Sequence, residues 1–449
     1  MASHGYSGVL RGVSSEWGYH RAMPRRTRAR RSRLRALAFA ALGLLSTARA
    51  RAEPARSEYR LYAGVRHQGE LMTANTLTVG RLALHGVDEL SESIPFGPDD
   101  RAVPRPIASV ERVGIFVFVD LPIISYTLVV PHELFGHAAR HREYDGRPEA
   151  HFDLPLPYSL RADHYVTQRQ TRREYGGEAS VTTLGGLQAQ EAYLRMLTAT
   201  TFRTNVLRRG EALLYTSTSL THVAQTVFGG DLRTASNLVA PLYRGDPVAY
   251  RSLTRTALVF DLIDPMLLYS LYASARYLVR GDRTTEPSLR RGDARFLATS
   301  RTLPVPWGVE HQLHILAAWS WASFDLGVRT GFGARESFGA ELTTFDWRFL
   351  RVMRAGAELA MWFQPLVSSV ATLGQPTPFL TVTPAVVGAP RTDVRDRTTT
   401  GAAARILFEL DQPRWFLGTR LGYKSVGLWG ERELAAAFEV ALTGGVKLE

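Results

Sequence analysis

The chain of 449 residues contains no cysteine. That absence excludes disulfide staples and thiolate ligands, so any bound zinc must be held by imidazole and carboxylate groups. Nothing resembles a glycine loop for a nucleotide phosphate, and no serine sits in a recognisable nucleophile setting. Net positive charge is small beyond the front of the chain. Eleven arginines and the single acid Glu16 in residues 1–52 account for ten of the twelve formal positive charges, leaving a remainder of about +2. A remainder that small argues against nucleic acid as a partner, because such binding rests on neutralised phosphates.

The arginine-rich front has the layout of an export signal. A basic stretch to Arg35 is followed by an apolar run over 36–45 and by Ala48-Arg49-Ala50, and cleavage is expected after Ala50. A retained anchor is the alternative, although the apolar run is short for a full span. The pattern therefore predicts an exported protein of the cell envelope, in the outer membrane or periplasm, with the inner membrane as the other location.

Two strand-like stretches are expected at 59–65 and 73–82, and a loop at 84–110. The apolar run 113–130 reads either as a buried strand before a helix or as a helix in or across a membrane, with Asp120 and Pro122 interrupting it. Helical patterns follow at 177–196, 208–227 and 253–279. The last contains Asp261 and Asp264, which read either as polar groups facing a metal or as caps for a helix starting near Pro265. From residue 296 the pattern changes to period two and supplies about eight antiparallel strands, including 379–387. The expected class is α+β: a helical metallopeptidase-like block flanked by antiparallel strands, the C-terminal ones forming a barrel or barrel-like sheet. The corresponding divisions are a signal peptide at 1–50, N-terminal strands and loop at 51–110, a helical zinc-site domain at 111–280 and a β domain at 295–449. That β domain could form a membrane barrel together with 57–83.

The residues with the clearest chemistry are His132-Glu133-Leu134-Phe135-Gly136-His137. Two histidines on a helix with a glutamate after the first are a known way to supply two zinc ligands and a general base, usually at i and i+4. Here the second histidine is at i+5, about 140° around an ideal helix from the first, too wide for a shared ion. A wide turn at Gly136 would absorb the extra residue. The motif resembles that of the dipeptidyl peptidase III family, whose members read His-Glu-Leu-Leu-Gly-His. The resemblance implies zinc on His132 and His137, with Glu133 as general base. It also implies a third ligand from a glutamate on a later helix, matched nearest by Glu174-Tyr175-Gly176-Gly177-Glu178. Glu178 is the preferred ligand and Glu174 the alternative; the rest of the chain does not resemble that family.

Glu191, His151, Asp153 and His164 in the same stretch read as ordinary polar residues. Tyr175, Tyr193, Arg140 and His164 are open candidates for an oxyanion donor. His311 and His314, at i and i+3 of a strand, face opposite sides and do not suit a shared ion. The expectation is a membrane-associated zinc metallopeptidase acting on a peptide or protein; the alternative is a non-enzymatic outer-membrane barrel or channel with a helical insert.

Overall fold

A computed structural model describes residues 56–64, 68–93, 104–143, 147–155, 157–158, 165–169, 176–228, 247–333, 336–350, 352–365, 398–429, 432, 434 and 436–448. The expected signal segment and the strand expected at 379–387 lie outside the described residues. The fold is α+β, with six helices among the described residues. In chain order these are α1 (Gln68–Ser93), α2 (Arg105–Glu143), α3 (Gly176–Thr204), α4 (Arg209–Phe228), α5 (Pro247–Leu262) and α6 (Pro265–Arg280).

One strand, β1 (Ser57–Gly64), precedes the helices. Two small antiparallel pairs lie within or beside the helical block: β2 (Arg147–His151) with β3 (Tyr165–Arg169), and β4 (Leu207–Arg208) with β5 (Thr284–Thr285). The long strands follow: β6 (Leu289–Arg291), β7 (Ala294–Val305), β8 (Gly308–Ala318), β9 (Ser323–Gly333), β10 (Ser337–Leu350), β11 (Met353–Pro365), β12 (Thr398–Asp411), β13 (Trp415–Lys424) and β14 (Ala437–Leu448). Together with β1 they make one ten-stranded antiparallel sheet, ordered β1-β14-β13-β12-β11-β10-β9-β8-β7-β6.

The end strands do not pair with each other, so the expected barrel does not close by strand pairing. Helices satisfy the open edges instead. Asn75 of α1 accepts from the Tyr62 amide at 2.7 Å and donates to the Tyr62 carbonyl at 2.9 Å, the pair of bonds that a neighbouring strand would make. One and two helical turns on, Thr78 donates to the Arg60 carbonyl and Arg81 to that of Glu58. At the opposite edge the Ser300 amide of β7 donates to Asp264 at 3.3 Å, and the Thr302 amide and hydroxyl donate to Asp261 at 2.8 and 2.7 Å. Every second residue of an edge strand points its backbone groups outward, and both helix edges meet that spacing.

Three expectations change here. Residues 73–82 are helical, because Leu71, Leu77 and Leu84 bury one side of α1 at intervals of six and seven residues, about two turns each, while its Asn75, Thr78 and Arg81 serve β1. The expected loop at 84–110 holds the end of α1 and the start of α2. The run 113–130 is helix throughout, part of one continuous α2 with π-helical turns at Phe116–Asp120 and Pro131–His137. Its interrupting acid, Asp120, is fully buried and paired with Arg209 of α4, which also pairs with Asp88 of α1. The expected helix at 253–279 is broken before Pro265 by a 55° bend; Asp264 accepts from the Met266 amide as the N-cap of α6 while it also serves β7.

The apolar core joins α1, α2, α3, α4 and α6 to Leu297 and Leu316 of β7 and β8. Helix α3 runs along the inner side of the sheet. Glu191 pairs with Arg301 of β7, Arg195 with Glu341 of β10 and Arg203 with Glu58 of β1. If the Asp261 contacts close the sheet edge, Asp261→Ala strands the Thr302 donors and lowers unfolding stability by about 1–3 kcal/mol. Urea midpoints of wild type, Asp261→Ala and the surface control Asp282→Ala would measure this; equal midpoints in all three would mean that the edge does not depend on Asp261.

Candidate metal centre

The second π turn solves the spacing problem of the histidine motif. The Ala138 amide donates to the Glu133 carbonyl, five residues back, so one extra residue is taken up between His132 and His137. Their Nε2 atoms lie 3.2 Å apart with the rings edge to face. Two imidazoles at zinc–nitrogen distances of 2.0–2.1 Å and a tetrahedral angle would be separated by about 3.3 Å. The pair therefore fits a zinc ion. Glu133 Oε1 is 3.9 Å from His132 Nε2, and a set of ligand atoms from His132, Glu133 and His137 falls within 4.8 Å of one another. His132 and Glu133 are buried.

Close contact between α2 and α3 shapes this site. A Cβ on Gly136 would come within 2.6 Å of the Gly185 carbonyl oxygen, and one on Gly186 within 2.5 Å of the His132 ring. These glycines permit backbone to approach backbone, with the His132 ring lying on the surface left bare by Gly186. The Thr182 carbonyl, one turn earlier on α3, is 2.8 Å from His137 Nδ1. That nitrogen donates, which leaves the Nε2 lone pair directed at the metal position, the usual tautomer of a ligating histidine.

Residue 178 belongs to the same stripe of α3. Positions 178, 182, 185 and 186 follow the i, i+4, i+7, i+8 spacing of a single helix face, and the last three all touch the zinc motif. The Glu178 side chain lies outside the described residues, as do Glu174, Tyr175 and His164. The candidate oxyanion donors Arg140 and Tyr193 are committed elsewhere. Arg140 donates to Glu143, to Gln188 and to the Arg432 carbonyl, while Tyr193 is sealed in the apolar core. His151 and Asp153 are exposed.

Behind the site, Glu191 of α3 and His222 of α4 are buried. Burial pushes the Glu191 carboxyl up against the pull of Arg301, and burial pulls the His222 imidazole down against the pull of Glu191. Glu191 also lines a cavity of about 150 Å³ between α3 and the sheet, together with Gln188, Arg195, Asp325 and Arg329. A second group, His314, Asp325 and Glu341, has ligand atoms within 4.8 Å of one another. It reads as an ion-pair network instead of a metal site, because Arg195 already pairs with Glu341 and repels a cation there. His311 faces the other way and stacks on Phe260, as expected for two histidines three apart on a strand.

The role of Gly185-Gly186 was not anticipated from sequence, although two adjacent glycines inside a helical pattern are a signal of close approach. If the histidine pair holds zinc, Gly186→Ala should displace the His132 ring and weaken that binding about 10–100-fold, the scale of losing a positioning partner. Zinc titration against a competing chelator would measure it, and wild-type affinity would refute this account of the site. No protein-family model, curated protein or solved structure matches the chain.

Proposed function

We propose that this chain is an exported, envelope-associated zinc metallopeptidase that hydrolyses peptide bonds. The observation carrying the reading is the π turn that sets His132 and His137 Nε2 atoms 3.2 Å apart beside Glu133. The arginine-rich front, with its apolar run and Ala48-Arg49-Ala50, supports the export part. Resemblance of the six-residue motif to that of the dipeptidyl peptidase III family supports the choice of zinc and of the peptide bond.

In this reading His132, His137 and Glu178 hold zinc, with Glu174 as the alternative third ligand. Zinc lowers the pKa of water and polarises a carbonyl. Glu133 accepts the proton of the attacking water and later delivers it to the leaving amine. Thr182 keeps His137 in the ligating tautomer, and the bare surface of Gly186 fixes the His132 ring. A channel has less support, because paired charges and α3 fill the inner side of the sheet.

Elemental analysis should find one zinc per wild-type chain and none in the His132→Ala/His137→Ala double variant. Glu133→Gln should keep zinc and lose about 10²–10⁴-fold in peptide hydrolysis, the usual contribution of a general base. Unchanged zinc content in the double variant would sink the site. Full turnover by Glu133→Gln would sink the role of the glutamate.

A further inference from the structure

The sheet is inverted relative to one that faces water. Along β14, Phe438, Val440 and Leu442 are 75, 50 and 60 % exposed, whereas Glu439 and Thr443 between and beside them are buried. Along β11, Leu359, Met361 and Phe363 are exposed and Glu358 is buried. The outward register of β9, β11, β12, β13 and β14 carries no charged residue. The inward register carries the charges, and they are paired: Arg60 and Arg354 with Glu58 and Glu409, and Arg405 and Arg420 with Glu70 and Glu439. Water would favour the opposite arrangement, with the apolar face inside.

Aromatic residues mark both ends of this apolar face. Exposed Trp321, Trp347 and Trp415 lie at or beside the turns joining β8 to β9, β10 to β11 and β12 to β13, which are at one end of the sheet. At the other end Phe338 pairs in register with Phe363, and Tyr423 with Phe438. Between them lie aliphatic residues such as Leu342, Leu359, Leu421 and Val440. From Trp415 to Tyr423 the strand has nine residues, within the roughly 9–11 that a tilted membrane-spanning strand needs.

The helices that stand in the gap of the sheet continue the same surface. Val110, Val113 and Phe118 of α2 and Leu268, Leu271 and Val279 of α6 are exposed. Three acids of this region are turned inward: Asp120 of α2 to Arg209, and Asp261 and Asp264 at the junction of α5 and α6 to the edge of β7. Hydrocarbon tolerates only backbone groups satisfied within the protein, and the side chains of α1 and the two aspartates meet that condition where strands do not.

We propose that the outer face of the sheet and the exposed faces of α2 and α6 form one lipid-contact belt, seated in the hydrocarbon of a phospholipid bilayer. The belt is a hybrid wall in which helices replace the strands that would close a barrel. It does not depend on zinc or on hydrolysis.

The natural absence of cysteine allows single-cysteine spin labelling of the full chain. Leu359→Cys, Leu421→Cys, Val440→Cys and Leu271→Cys would each be labelled in vesicles of phosphatidylcholine and phosphatidylglycerol, with Arg414→Cys in the β12–β13 turn as the water-facing control. The ratio of relaxation by oxygen to relaxation by a water-soluble nickel chelate should be several-fold higher at the four belt sites than at Arg414→Cys. Free access of nickel at the belt sites would overturn the proposal in favour of a water-facing sheet. Exclusion of both reagents would overturn it in favour of a face covered by a second copy.

Discussion

The backbone edge of an unclosed sheet is the constraint on which the rest of this structure depends. A strand with no neighbour leaves every second amide and carbonyl without a partner, and a buried unsatisfied group costs about 1–3 kcal/mol. A barrel removes the problem by pairing its first and last strands. Here β1 is served by Asn75, Thr78 and Arg81 of α1, while β7 is served by Asp261 and Asp264 at the junction of α5 and α6. The helices thereby become part of the wall. Their positions follow from hydrogen bonding to strands as well as from apolar packing.

That arrangement brings α2 and α3 together. Asp120, held by Arg209, fixes the middle of α2 against α1 and α4, and the Gly136–Gly185–Gly186 contact fixes its far end against α3. The histidine pair forms beside that glycine contact. A π turn at that point reconciles a helix that must continue with two side chains that must meet, and glycine in the turn removes the Cβ that would keep α3 away. The same helix thus contributes an apolar outer face near its start and the candidate metal ligands near its end.

The inside of the sheet is organised by charge. Burying an unpaired charge is costly, and a pair or network recovers the cost only when its partners are arranged around it. Glu58 meets Arg60, Arg203 and Arg354, and Glu70 meets Arg405, Arg420 and Arg432. These groups come from α1, α3 and four strands as well as the segment before β14, so the networks tie the helical block to the sheet. Arg195 with Glu341 belongs to the same scheme, which is why the nearby His314 and Asp325 fit an ionic lining better than a second metal.

What the sequence determined by itself was local. The i, i+5 spacing of His132 and His137 with Gly136 between them called for a wide helical turn, and the structure has a π turn there. The period-two segments after residue 296 matched the seven long strands from β8 to β14, since alternation is a property of neighbouring residues, whereas β7 was not among them and the stretch at 379–387 lies outside the described residues. Tertiary structure decided what depends on distant partners. Residues 73–82 carry strand-like side chains, yet their hydrogen bonds to β1 and their buried leucines require a helix. Asp261 is explained by Thr302, forty-one positions away, and Glu58 by Arg354, 296 positions away. Whether the sheet would close, and which of its faces would turn outward, could not be read from alternation, because a period of two is the same pattern whichever side is inside.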